Sequence, residues 1–173
     1  RKPLKTLIAK FKQTRVIGLL AEPVTSSGQL TLVNPDALRW ELFAPDDIVY
    51  WVNAGGVAYK SGKSKKATKA PADAFGKALP DLVAFLGGDL AKLKSRYDFS
   101  ASVEKDGSIE VVATVTDAQL KEALKKLRMK TNPEKWGIAK VVIEEPKGDS
   151  SSIVFETNKR DEKVDPDSMK PPA

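Results

Sequence analysis

The sequence predicts a mainly β fold with helices, in which an incomplete antiparallel β-barrel, or half-barrel, is covered by a helical lid. Two observations predict it. From Phe11 onward, short β-prone segments broken by Gly, Pro, Asn and Asp recur about every ten residues, the rhythm of an antiparallel meander. Residues 72–94 break that rhythm, with apolar side chains at three- and four-residue intervals. Strands in this number curl into a barrel or half-barrel, and a helical insert with one apolar face covers the open side.

Leu4, Leu7 and Ile8 lie at helical spacing and predict a short N-terminal helix over residues 3–10. Strands are expected over 11–18, 28–33, 37–43, 47–52 and 57–60. Turns are expected at Ser26-Ser27-Gly28, Asn34-Pro35-Asp36, Pro45-Asp46 and Asn53-Ala54-Gly55-Gly56. In the third strand Leu38, Trp40 and Leu42 point one way, while Ala37, Arg39, Glu41 and Phe43 point the other. The stripe over 72–94 comprises Phe75, Leu79, Leu82, Val83, Leu86, Leu90 and Leu93, and Pro80 with Gly87-Gly88 divides it into two short helices.

Strands resume over 97–104 and 109–116, joined by the hairpin dipeptide Asp106-Gly107. Residues 117–127 read as a helix with Asp117 or Thr116 as N-cap, or as a shorter helical turn followed by a strand over 127–131. The second reading is adopted. Strands over 138–145 and 151–158 flank the turn Pro146-Lys147-Gly148-Asp149. The tail beyond Val164, with Pro166, Pro171 and Pro172, is expected to be extended and loosely held. The total is about nine or ten strands in a single domain over residues 1–173, with no internal repeat and no long linker.

Composition narrows the chemistry. With 41% apolar and 30% charged residues the chain has the balance of a water-soluble globular protein. Its apolar runs, such as Val141-Val142-Ile143, are only a few residues long and fall far short of the roughly 20 residues of a membrane-spanning helix. Cysteine and histidine are both absent, which removes disulfides, thiolate metal sites, Cys-His and Ser-His nucleophiles and the imidazole base. No catalytic residue is assigned and an enzyme is not expected; of the nucleophile systems only a Ser-Lys pair remains open. Gly55-Gly56 and Gly87-Gly88 read as turns rather than phosphate loops. The carboxylates of Asp46-Asp47 and Glu144-Glu145 point apart, and Asp161, Glu162, Asp165 and Asp167 lack the spacing of a calcium loop, so no metal or cofactor is expected.

The net charge is +6. The bases cluster in two runs: Arg1, Lys2, Lys5, Lys10, Lys12 and Arg15 before the first acid, and Lys60, Lys63, Lys65, Lys66 and Lys69. Such runs meet anionic phosphates or form solvated loops. Apart from Tyr59 they lack interleaved aromatics for base stacking, so nucleic acid is not expected as a partner. The chain opens at Arg1 without an apolar leader, so an export signal is expected to have been removed, and freedom from cysteine suits an oxidising compartment. The apolar stripes have two uses that pattern alone leaves open: lining a cavity, or meeting in a dry core.

Three stretches resemble the LolA family of periplasmic lipoprotein carriers, including its LolA-related branch. They are Phe11-Lys12-Gln13-Thr14-Arg15, Ser26-Ser27-Gly28-Gln29-Leu30, and the run from Pro35 through Ala37-Leu38-Arg39-Trp40-Glu41-Leu42 to Pro45; Met169-Lys170-Pro171-Pro172 is similar to the family's ending. The resemblance implies an incomplete barrel closed by helices, whose apolar cavity takes the acyl chains of lipoprotein or other acylated cargo. An inner-membrane ABC transporter would supply the cargo and an outer-membrane acceptor would take it. It also implies a periplasmic location, transient contact with membrane proteins and no cofactor; a monomer is expected.

The cavity would be lined by Leu30, Leu32, Leu38, Trp40, Leu42, Tyr50, Phe75, Leu79, Leu82, Val83 and Leu86. Family carriers place a lid-gating arginine before the proline that is Pro35 here, where this chain has Asn34. Arg39, expected on the face opposite Trp40, and Arg15 are the other candidates for gating or partner contact. The alternative is a basic interaction module whose 60–69 loop docks on anionic lipid or an acidic partner over a filled interior.

Overall fold

A computed structural model describes residues 4–71, 73–133 and 137–173; Arg1 and Lys2 of the first basic run, and Pro3 of the expected helix, lie outside the described residues. The strands are β1 Thr6–Val16, β2 Val24–Val33, β3 Ala37–Leu42, β4 Ile48–Asn53, β5 Gly56–Ser61, β6 Thr68–Lys69, β7 Tyr97–Val103, β8 Ile109–Val115, β9 Lys126–Thr131, β10 Ile138–Glu144, β11 Ser150–Phe155 and β12 Lys159–Arg160. They form one 12-stranded sheet in the order β6-β5-β4-β3-β2-β1-β11-β10-β9-β8-β7, with β12 also paired to β1. Every described pairing is antiparallel. The sheet is thus two meanders joined where β1 pairs β11, and β6 and β7 remain as separate edges.

The chain between those edges is helical: α1, Ala74–Gly87, followed by a 3-10 turn at Leu90–Leu93. Leaving one edge and rejoining at the other, it crosses the open side of the curved sheet, so the lid position follows from the topology. Asp73 caps the helix by accepting from the Gly76 N–H at 2.8 Å, and Gly88 ends it in the left-handed region at φ 82°. The expected division at Pro80 does not occur. Pro80 lies on the solvent side of a helix whose opposite face buries Leu79, Leu82, Val83 and Leu86, and that burial holds the two halves together.

The expected N-terminal helix is also corrected, because residues 6–16 are strand. Leu7, Ala9 and Phe11 alternate inward with period two, overlaying the helical spacing of Leu4, Leu7 and Ile8. Pairing with β2 on one side and with β11 and β12 on the other satisfies both backbone edges of β1, which an isolated helical turn cannot match. The expected turn at 26–28 is likewise β-strand, and the β1–β2 connection falls at residues 17–23. The strand count exceeds the expected one through the two-residue β6 and β12, which are too short to leave a periodic signal. Residues 117–131 resolve as a 3-10 turn, Leu120–Glu122, capped by Asp117 Oδ2 at 2.8 Å from the Leu120 N–H, and then β9.

The tail is not loosely held. Asp161 Oδ1 accepts from the Lys5 N–H at 2.8 Å, and Thr6 Oγ1 donates to the Glu162 carbonyl at 2.8 Å. A 3-10 turn at Pro166–Met169 then seats Met169 against the outer face of the sheet, where Trp51 Nε1 donates to the Ser168 carbonyl at 3.0 Å. Trp51 points away from the interior that Tyr50 and Val52 enter, so the tail is what buries it.

Candidate functional site

The concave face of the sheet and the inner face of α1 share one apolar cluster. Alternation from buried neighbours places Leu30 and Leu32 of β2, Leu38, Trp40 and Leu42 of β3, and Tyr50 of β4 on that face. Opposite them α1 contributes Phe75, Leu79, Leu82, Val83 and Leu86, so the predicted lining residues do come together. The Phe75 ring is wedged between Trp40, at a centroid distance of 5.5 Å, and Tyr50, at 5.2 Å. Below it Phe11 lies 4.4 Å from Trp40. Gly28 makes that contact possible: a methyl group on it would lie 2.6 Å from the Phe11 ring and 2.1 Å from the Glu41 carbonyl.

Part of the expected lining packs without a gap, while Tyr50, Val83 and Leu86 keep 9%, 5% and 6% of their surface and Leu42 and Phe75 are half-buried. Leu30, Leu32, Leu38, Trp40, Leu79 and Leu82 each retain 0% of their surface, whereas a void large enough for water would leave some exposed. A recess of about 460 Å³ does exist on the opposite face, between Val33 and Ala37 of the sheet and Val164, Pro166 and Met169 of the tail.

The interior contains polar atoms without partners. Trp40 Nε1, Gln13 Oε1 and Arg15 Nε are buried and make no hydrogen bond among the described residues. Each such atom costs about 1–3 kcal/mol relative to a satisfied one. Alternation from Phe11 sets Gln13 and Arg15 on the inward face of β1, running from the aromatic cluster to the end where the N-terminus of α1 meets the β10–β11 turn. Gln13 was not singled out by sequence, although the same alternation exposes it once β1 is recognised as one long strand.

At that end the Arg15 guanidinium lies 3.7 Å from Glu145 Oε2. Burial raises the Glu145 carboxyl above the usual range; Asp149 and Asp73 add to this and Arg15 opposes it. Burial also pushes the Tyr50 hydroxyl up to about 12, with Asp73 and Tyr59 reinforcing it. Farther along the lid, Asp81 is 2% exposed and accepts from the Tyr97 hydroxyl and the Arg96 guanidinium. Burial raises Tyr97 to about 12, Arg96 opposing, so this hydroxyl stays a donor throughout the neutral range.

Of the gating candidates, Asn34 touches the lid: its Nδ2 donates to the Leu4 carbonyl at 2.6 Å, and its Oδ1 would stand 2.7 Å from a methyl group on Gly87. Arg39 lies on the outer face and pairs with Glu41 at 3.0 Å. Arg15 stands at the mouth, its side chain 40% exposed although its Nε is buried.

These features define a class: an open antiparallel half-barrel with an apolar, helix-capped interior. The chain belongs to the family of the outer membrane lipoprotein carrier protein LolA, whose family model matches residues 2–171. It is a family of carriers and binding proteins rather than enzymes. Among the described residues no helix is long and apolar enough to cross a membrane.

A DUF1329 family protein from Desulfovibrio piger is similar at 7% identity over 96% of this chain and 90% of its own, with a TM-score of 0.57. The LolA superfamily protein NE2245 from Nitrosomonas europaea is 9% identical over 98% of this chain and 91% of its own, with a TM-score of 0.49. A chain of the Pseudomonas aeruginosa MucA/MucB complex is 13% identical over 95% of this chain and 55% of its own, with a TM-score of 0.50. At such identities the likeness concerns the fold. No curated protein matches by sequence.

Proposed function

We propose that the protein is a periplasmic carrier that takes acyl chains of lipoproteins, or of a related lipid, between the sheet and α1 and moves them from inner towards outer membrane. The supporting observation is the unpartnered indole N–H of Trp40 inside an otherwise apolar, lid-covered cluster. An acylated cargo brings carbonyl oxygens next to its chains, and Trp40 Nε1 and Arg15 Nε would each gain the acceptor they lack. The apolar chains themselves contribute about 0.8 kcal/mol per buried methylene.

Cargo enters by swinging α1 outward. The Phe75 end is held by ring contacts, while the Asp81–Arg96–Tyr97 cluster and the Asn34–Gly87 contact retain the rest of the helix. Leu30, Leu32, Leu38, Trp40, Leu42 and Tyr50 on the sheet, and Phe75, Leu79, Leu82, Val83 and Leu86 on the lid, are then the lining residues. The expected partners are a transporter that loads the cargo and an acceptor that removes it, with Asn34 replacing the family's arginine as the side chain against the lid.

The test uses tryptophan quenching by acyl chains brominated along their length. A variant retaining only Trp40 (Trp51→Phe, Trp136→Phe) should be quenched and should be rescued by unbrominated competitor. A variant retaining only Trp51, on the outer face, should not be quenched. Quenching of Trp51 alone would assign binding to the recess under the tail, and no quenching of either would defeat the carrier reading.

A further inference from the structure

We infer that the rim of the half-barrel bearing the β1–β2, β3–β4 and β5–β6 connections is a docking surface for an anionic lipid bilayer. In an antiparallel meander every second connection returns to the same end, and the registers put these connections together: Arg15 pairs with Val24, Leu42 with Ile48, and Ile48 with Ser61. The rim carries two kinds of group that are usually kept apart.

The first is apolar. Val16, Leu19, Leu20, Val24 and Phe43 are exposed here, Leu19 at 97%; of the exposed large apolar side chains among the described residues, only Val103 and Val154 lie elsewhere. The tip is a formed structure. The Leu20 N–H donates to the Ile17 carbonyl at 2.9 Å, the Gly18 N–H to Asp149 Oδ1 at 2.9 Å, and the Phe43 N–H to the Ser27 carbonyl at 2.8 Å. A backbone fixed in this way presents its leucines to water, where they gain nothing.

The second is basic. Lys63, Lys65 and Lys66 on the β5–β6 loop are exposed and, among the described residues, enter no ion pair; Lys60 and Lys69 flank them. Of the rim's acids Glu145 is paired with Arg15, while Asp149, which accepts from the Gly18 N–H, and Asp47 keep their charge. Glu22 and Asp46 lie near the tip as well, so the positive charge is local to the β5–β6 loop, where residues 61–67 contain three lysines and no acid.

An apolar projection and a basic loop roughly 19 Å apart, four strand spacings along one edge, match a plane of anionic headgroups over hydrocarbon. An acidic protein partner would account for the lysines and leave the protruding leucines unexplained. The same end carries the N-terminus of α1 beside the β10–β11 turn, so docking would turn the lid towards the membrane. The inference stands on surface groups and is independent of whether the interior takes cargo.

Sedimentation with vesicles of phosphatidylcholine, with and without phosphatidylglycerol, tests it on the full chain. The protein should bind the anionic vesicles, and added salt should weaken the binding. L19D/L20D should weaken it by about tenfold or more, as should the charge reversal K63E/K65E/K66E. The pair V103D/V154D, exposed but away from the rim, should leave binding unchanged. All substituted side chains are at the surface, and circular dichroism checks that the variants fold. No binding to anionic vesicles at low salt, or binding that survives L19D/L20D, overturns the inference; in the latter case charge alone suffices and an acidic protein becomes the better partner. Trp40 quenching by soluble brominated acyl chains is read separately, so failure of the rim and failure of the carrier reading are distinguishable.

Discussion

Gly28 shows how one residue sets the interior. It lies in β2 opposite Phe11 on β1 and Leu42 on β3, and its missing side chain lets Phe11 lean across the strand onto Trp40. Gly28→Ala would force the Phe11 ring away and distort the β3 pairing. It is expected to cost about 1–3 kcal/mol in urea unfolding and to change Trp40 emission. At this scale the sequence was informative about apolar positions and uninformative about the pairing of polar ones. Leu38 and Trp40 could be read from alternation in one short strand. Gln13 and Arg15 alternate with Phe11 and so could be placed on the inward side, but nothing in the sequence signals that Gln13 Oε1 and Arg15 Nε are buried without partners.

At the scale of the element, the lid was visible from its 3.6-residue stripe and from Gly87-Gly88 at its end, but its unbroken course through Pro80 was not. Helix propensity penalises that proline, and the apolar face buried on both sides of it outweighs the penalty. The first half of β1 was read as helix for the converse reason: Leu7 belongs to both periodicities, and only the neighbouring strands decide between them.

The mouth end of the lid also yields a pH prediction. The Glu145 carboxyl is raised above its ordinary 4.5, so the fold prefers its protonated form. Its contribution is fully present below the ordinary value and is lost as pH rises through the raised one. Glu145→Gln, neutral at every pH, should therefore raise Tm relative to the native protein near pH 7 and give no gain near pH 4. Thermal scans at the two pH values check this, and an equal gain at both would refute it.

At the scale of the whole molecule, both meanders were legible as runs of hairpins, whereas the bond that joins them was not. β1 meets β11 across most of the chain length, and no local pattern encodes such a pairing. The tail is a similar case. Its prolines read as loose chain, yet Trp51 on the outer face supplies the surface that holds it. Ending the chain after Arg160 removes the contacts from Asp161, Glu162 and Ser168, and should cost about 2–4 kcal/mol while exposing Trp51 to aqueous quenchers.

The two unpaired margins of the sheet, β6 and β7, bear on how the interior could widen around a guest. A tube must break backbone hydrogen bonds to widen, because each strand is clasped by its neighbours around a full circle. Here the curl can relax like an opening hand, with every ladder intact. The work of expansion then falls on the side-chain contacts under α1, and occupancy should flatten the curvature rather than unravel a strand.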